Sequence, residues 1–215
     1  MGVPPLCSRE ELGAVREEEL RCAVQALGGS SLLLMDYIDP VVGPEDTLFA
    51  FTDDLETLVG QARHIIEQMG IGAVLTHGVN GEYGHPAHQF LHQAAALAIQ
   101  SMGEAAPLFY TVQGTFEGHP HPRLANADSP AHLIVDVSPV LRQKTEAALC
   151  HRTQHDLYVR WSSEEAGKRL TVPEVIQSLE SLHRVWPVVE AQDELHDPFA
   201  DLLWATGFAR APEVG

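Results

Sequence analysis

Residues 76–89 read THGVNGEYGHPAHQ and set His85 and His88 on either side of Pro86 and Ala87. Imidazole binds metal ions and titrates near neutrality, so two rings brought to one spot can hold a cation, carry a proton, or do one of each. Pro86 suits the first turn of a helix, where its missing N–H costs no hydrogen bond. His85 is then expected at or just before a helix start and His88 inside the first turn, with both rings able to face one crevice. Gly78, Gly81 and Gly84 allow the tight turns such a loop needs. In a chain with 12 histidines, spacing alone favours a structural role over a ligand. The apolar run before the loop shifts that balance, because ligands of an open α/β sheet collect beyond the carboxyl ends of its strands.

Other groups are weaker candidates. His77 is expected as a strand-end residue near the site. His119 and His121 fall in a polar loop, with service as replacement metal ligands a minority option. His151 and His155 lack the glutamate that a zinc-protease helix would carry, which favours a structural or solvated face. Asp36 and Asp39 follow an apolar run and are expected to face the same crevice as the histidines. Asp53 and Asp54 read as carboxylates at a helix N-terminus, and REEEL at 16–20 as a solvated helix face.

The elements that would position these residues follow from periodicity. SREELGAVREEELRCAVQALGG has Ser8 and Glu11 at capping-box spacing, apolar residues at helical intervals and a glycine stop. SLLLMDY and IGAVLTHG are short apolar runs expected as buried parallel strands, with a capped helix from near Thr52 between them. A helix over about 86–101, strands in PLFYTVQ and HLIVDVS, and a helix over about 139–150 continue the alternation. The pattern predicts an α/β sheet with helices on both faces. TVPEVIQSLESLHRVWP and DPFADLLWATGF read as helices of a C-terminal extension.

Thirty acidic against 13 basic residues give a formal charge of -17, which disfavours phosphate backbones and anionic lipids, so nucleic acid is excluded as a partner. Three cysteines without metal spacing argue against a disulfide framework and for a reducing compartment, the cytoplasm. No apolar run has the length of a membrane span.

The ordered combination of GEYGHPAH, REEELRCAVQALGG followed by LLLMDYID, and KTEAALCHRTQ resembles the LmbE-like, or PIG-L, family of zinc-dependent N-deacetylases, over about residues 8–155. The resemblance implies one Rossmann-like α/β domain spanning 1–215, with 156–215 as its extension, that hydrolyses the N-acetyl group of an N-acetylglucosamine-type conjugate. It makes His88 a zinc ligand and gives His85 the oxyanion and the proton for the leaving amine. Tyr83 would line the site and contact the oxyanion, while Arg16 and Asp39 would hold the polar substrate. Zinc is the implied cofactor and an N-acetylated aminosugar conjugate the implied partner.

Two family features have no counterpart here. The Ala-His-Pro-Asp-Asp-Glu segment that carries two further zinc ligands and the catalytic aspartate is unmatched, and Ala87 stands where the family usually has an aspartate. The expectation is a family member lacking its first strand as written, through a misplaced start or a fragment. It would be inactive or weak in zinc binding by itself and prone to homo-oligomerise through the unfilled sheet position. The alternative is a non-catalytic member that keeps a sugar-binding or packing role.

Overall fold

The computed structural model describes residues 6–38, 41–190 and 195–212. In chain order the elements are α1 (Leu12–Leu27), β1 (Val41–Val42), β2 (Leu48–Phe49), α2 (Leu55–Met69), β3 (Ala73–Thr76), α3 (Gly81–Gly84) and α4 (Pro86–Gln100). Then come β4 (Leu108–Val112), β5 (Gly114–Thr115), β6 (Asn126–Pro130), β7 (Leu133–Asp136), α5 (Leu141–Cys150), α6 (His155–Ala166), α7 (Val172–Val175), β8 (Leu179–Trp186), α8 (Pro198–Ala205) and β9 (Ala209–Arg210). They form two compact units: one holds Val137–Ser178 and the chain up to Met35, the other Asp36–Asp136 and the chain from Leu179 onward.

The second unit is an α/β layer structure around a five-stranded sheet in the order β3-β4-β8-β7-β9. Successive side chains of a strand point to opposite faces, and β4 uses both. Phe109 packs with Ile66 of α2 and Ala95 and Ile99 of α4, while Tyr110 packs its ring on Phe199 of α8 at 5.0 Å between centroids. Helices therefore cover both faces, as the alternation of elements predicts. Asp197 secures the α8 side by accepting the N–H groups of Phe199 and Ala200, the Tyr110 hydroxyl, and Arg184 Nη1 at 2.9 Å.

Several expectations for this unit are corrected. The sheet is mixed: β3 and β4 are parallel, but β8 runs antiparallel to both β4 and β7. β8 itself comes from TVPEVIQSLESLHRVWP, expected as a helix. The capping box of Thr171 and Glu174 does start a helix there, but it lasts only through α7, after which the ladders of β4 and β7 claim the backbone. The run IGAVLTHG gives β3 as expected, yet at the sheet edge with Leu75 half-exposed rather than buried. SLLLMDY has no regular structure, and Leu33 is 58% exposed. An apolar run becomes a strand only when a neighbour takes its N–H and C=O groups, and no described strand pairs with it.

The first unit is helical. Ser8 and Glu11 exchange hydrogen bonds of 3.0 and 3.3 Å at the start of α1, and Gly28 ends it with a φ of 78°. The run REEEL is not simply a solvated face. Glu19 is 2% exposed and accepts the Thr153 N–H at 2.8 Å and hydroxyl at 2.7 Å, because α1 lies along α5 with Glu19 turned towards the next turn of chain. Beside it Cys22 and Cys150 form a disulfide with Cα atoms 5.7 Å apart. That pairing overturns the reading of three unlinked cysteines and removes the redox argument for the cytoplasm, since such bonds persist in oxidising compartments. Val159, Val172 and Val175 make a separate small core with Leu170 and Ile176. Among the described residues, no helix is long and apolar enough to cross a membrane.

Two stability predictions follow from these contacts. The disulfide closes 128 residues of sequence separation, so Cys22→Ser is expected to lower unfolding free energy by about 2–4 kcal/mol in urea titrations. An unchanged midpoint would show that the bond carries no load. Burial, with help from the His183 and Arg184 charges, pushes His132 down to about 4, and burial lowers His183 as well. Both rings bind protons more readily in the unfolded chain. Their contribution is therefore complete above about pH 6.5 and lost as pH falls from there towards 4. His132→Gln should flatten that acid limb in urea midpoints measured across pH 7 to 4.

Candidate functional site

The loop THGVNGEYGHPAHQ leaves the carboxyl end of β3 and enters α4 through the single turn α3. Its base is held by Asn126 of β6, a fully buried side chain whose Oδ1 accepts the Asn80 N–H at 3.0 Å while Nδ2 donates to the Val112 carbonyl at 3.1 Å. Gly78 makes that possible, because a Cβ there would lie 2.1 Å from the Asn126 amide. Gly81, at φ 61°, then turns the chain where a Cβ would meet Gln89 at 2.8 Å.

The turn delivers Glu82. Its side chain is 9% exposed; Oε1 accepts the Gly78 N–H at 3.0 Å, and Oε2 lies 2.9 Å from His77 Nδ1 and 2.7 Å from His88 Nδ1. Burial pushes its carboxyl up, but the hydrogen bonds from His77, His88 and Gly78 outweigh that and hold it well below the usual carboxylate range. It is therefore an ionised acceptor at neutral pH. The backbone of Glu82 has φ 59° and ψ -70°, a left-handed conformation costing about 1–3 kcal/mol in a residue with a side chain and tolerated where surrounding contacts over-determine it.

His77, His88 and His85 form a run of stacked rings. His77 and His88 are 3.6 Å apart between centroids and 7° from parallel; His85 and His88 are 4.3 Å apart at 29°. His85 is the N-cap residue of α4 and is buried, and His88 sits in the first turn with 23% of its side chain exposed. Both placements agree with the spacing argument. Tyr83, 61% exposed, meets His85 and His88 edge-on, each at 5.7 Å. His92 donates from Nδ1 to the His77 carbonyl at 3.0 Å, fixing the strand end from the second turn of α4.

Of the five residues carried over from the family resemblance, then, Tyr83, His85 and His88 come together. Arg16 belongs to the other unit, where its Nε is buried without a hydrogen-bond partner among the described residues, and Asp39 lies outside the described residues. Ala87 is buried, 4% exposed. The sequence pattern marks His77 only as a strand-end residue near the site and does not single out Glu82. The signal for Glu82 was thin: a glutamate between glycines, ahead of a helix start and thus free to turn inward.

Among the described residues, His77, Glu82 and His88 are the one group of three side chains whose ligand atoms converge enough for a metal ion, all within 4.8 Å of one another. His119 and His121 are not in it; His119 Nδ1 instead accepts the His121 N–H at 3.1 Å. Two imidazoles and a carboxylate are donor types that zinc accepts. The ring planes limit how they can serve. An imidazole lone pair lies in its ring plane, and two planes 7° apart with centroids 3.6 Å apart do not meet at an ion that both rings could reach. What fits is one ligating imidazole backed by a carboxylate on its other nitrogen, the common support of metal-bound histidine. His88 is so arranged, with Glu82 on Nδ1 and Nε2 left over.

Residues 3–99 match the family model described as PIG-L: GlcNAc-PI de-N-acetylase. The probable N-acetyl-alpha-D-glucosaminyl L-malate deacetylase 2 of Bacillus anthracis is 30% identical over 159 residues, covering 72% of this chain and 62% of that protein. The chain thus spans less than two thirds of the length of this curated relative. Among solved structures, the 4-carboxy-2-hydroxymuconate hydratase of Pseudomonas putida aligns with a TM-score of 0.49 and 19% identity, over 87% of this chain and 78% of that one. A deacetylase of teicoplanin biosynthesis aligns with a TM-score of 0.49 and 18% identity, over 81% and 75%.

The close approach of Gly78 to Asn126 predicts a coupled pair of mutants. Gly78→Ala should cost about 1–3 kcal/mol by overpacking, and Asn126→Ala a similar amount by stripping the Asn80 N–H and Val112 carbonyl of their partner. Because the second change makes room for the first, the double mutant should lose less than the sum. Strict additivity in a urea double-mutant cycle would contradict the contact.

Proposed function

We propose that this chain, which belongs to the PIG-L (LmbE-like) family, is a metal-dependent hydrolase that removes the N-acetyl group from an N-acetylglucosamine-type conjugate, giving acetate and a free amine. The support is the meeting, beyond the carboxyl end of β3, of three stacked imidazoles and one ionised carboxylate at the start of α4. A zinc ion held through His88 would polarise the amide carbonyl and lower the pKa of a water towards about 7.

The chain's own residues supply the rest. His85, buried at the N-cap of α4, stands where the positive end of the helix dipole favours the negative charge of a tetrahedral adduct. Its ring stabilises that oxyanion and passes a proton to the departing nitrogen, which must leave as an amine rather than an amide anion. Tyr83 sets its phenol at the exposed rim, within reach of a sugar-borne substrate and of the same oxyanion. Arg16 and Asp39 are assigned by family likeness to hold the polar substrate.

The test is acetate release from an N-acetylglucosamine conjugate by the zinc-loaded protein. His85→Ala should lower turnover by about 100-fold or more at unchanged metal content, Tyr83→Phe should lower it less, and His88→Ala should lose the metal. Full activity in His85→Ala would remove the acid from this reading. Binding of the sugar without acetate release by the unmodified protein would assign the non-catalytic role instead.

A further inference from the structure

Glu82 touches two of the stacked histidines through one atom. Its Oε2 takes both His77 Nδ1 at 2.9 Å and His88 Nδ1 at 2.7 Å, while Oε1 is occupied by the Gly78 N–H at 3.0 Å. A carboxylate is acceptor-only, so both ring nitrogens facing it must carry hydrogen, and a neutral imidazole protonated on Nδ1 offers its lone pair on Nε2. We propose that Glu82 is a positioning residue that locks His77 and His88 as Nδ1–H tautomers, so that His88 presents Nε2 to a metal ion, in place of the carboxylate that Ala87 does not supply.

Three further observations carry this. Ring stacking fixes the orientation that the hydrogen bond selects: His77 at 3.6 Å and His85 at 4.3 Å both lie against His88, which opposes a flip about its side chain. The near-parallel planes of His77 and His88 make His77 a support for His88 rather than a second arm of one chelate. And the backbone of Glu82 is held at φ 59°, a conformation that a glycine would adopt freely, so the side chain is retained there against a local preference. Ala87 is 4% exposed, so a carboxylate at position 87 would carry a desolvation cost of its own.

The use of His88 by a metal rests on the deacetylase reading, but the tautomers do not, and the two can be measured apart. Long-range 15N–1H correlation spectra of the metal-free full chain at pH 8 should show His77 and His88 protonated on Nδ1. Glu82→Gly, which also relieves the backbone, should remain folded by circular dichroism and move both rings towards the Nε2–H form. Cobalt(II) titration followed by visible absorption should then show affinity reduced about 10- to 100-fold in Glu82→Gly, with no gain in Ala87→Asp. Wild-type rings already in the Nε2–H form, or tautomers indifferent to Glu82→Gly, overturn the proposal, as does unchanged cobalt affinity once the tautomers have shifted. If no form binds cobalt while the tautomers shift as expected, the metal reading fails and the positioning role of Glu82 stands.

Discussion

An ionised carboxylate withdrawn from water has to be met by donors on both oxygens, and at Glu82 that requirement organises the whole loop. One oxygen draws in the backbone of Gly78 and the other draws two imidazole rings to a single point. Each partner comes from a different place: the end of β3, the turn after it, and the first turn of α4. The carboxylate therefore ties the strand end to the helix start, and the stacking of His77 on His88 is a consequence of two rings being gathered at one edge. Leaving such a group unpaired in a partly buried site would cost more than the strained backbone that places it.

The platform beneath the loop is rigid for equally local reasons. Asn126 fixes the loop from the side of β6 and leaves no space above Gly78. β4, the parallel neighbour of β3, is packed on both faces, with Phe109 among the residues of α2 and α4 and Tyr110 against α8. Asp197 binds Tyr110, Arg184 and the first turn of α8 at once. A cluster of titratable rings on a mobile loop would sample many geometries; here the strand end and helix start that bear it are each anchored by buried contacts.

How far this could be read from sequence depends on the range of the interactions. Local signals were legible: Ser8 with Glu11, the Gly28 stop, a carboxylate at the start of α2, where Asp54 is the N-cap and accepts from Thr57 at 3.0 Å, and the placing of His85 and His88 around Pro86 all appear in the structure. What failed was decided at long range. SLLLMDY had the composition of a strand but no partner, and SLHRVW became a strand because β4 and β7 offered ladders on both sides. Glu19 looked like one charge in a solvated run until Thr153, far along the chain, supplied its hydrogen bonds. Cys22 and Cys150 carried no spacing signal because their pairing depends on α1 lying beside α5. Glu82 was within the window that sequence reasoning singled out, but its role lies in an inward turn that no periodicity marks.

The central place of β8 has a bearing on how the chain is made. β4 and β7 leave the ribosome well before Leu179–Trp186, yet in the finished sheet they reach each other only through that strand. During synthesis each therefore presents an unpaired edge until β8 is made. The sheet closes late, by one insertion that pairs distant segments, which is the slow and association-prone kind of step. The nascent chain is consequently most exposed to wrong partners in the interval just before β8 emerges.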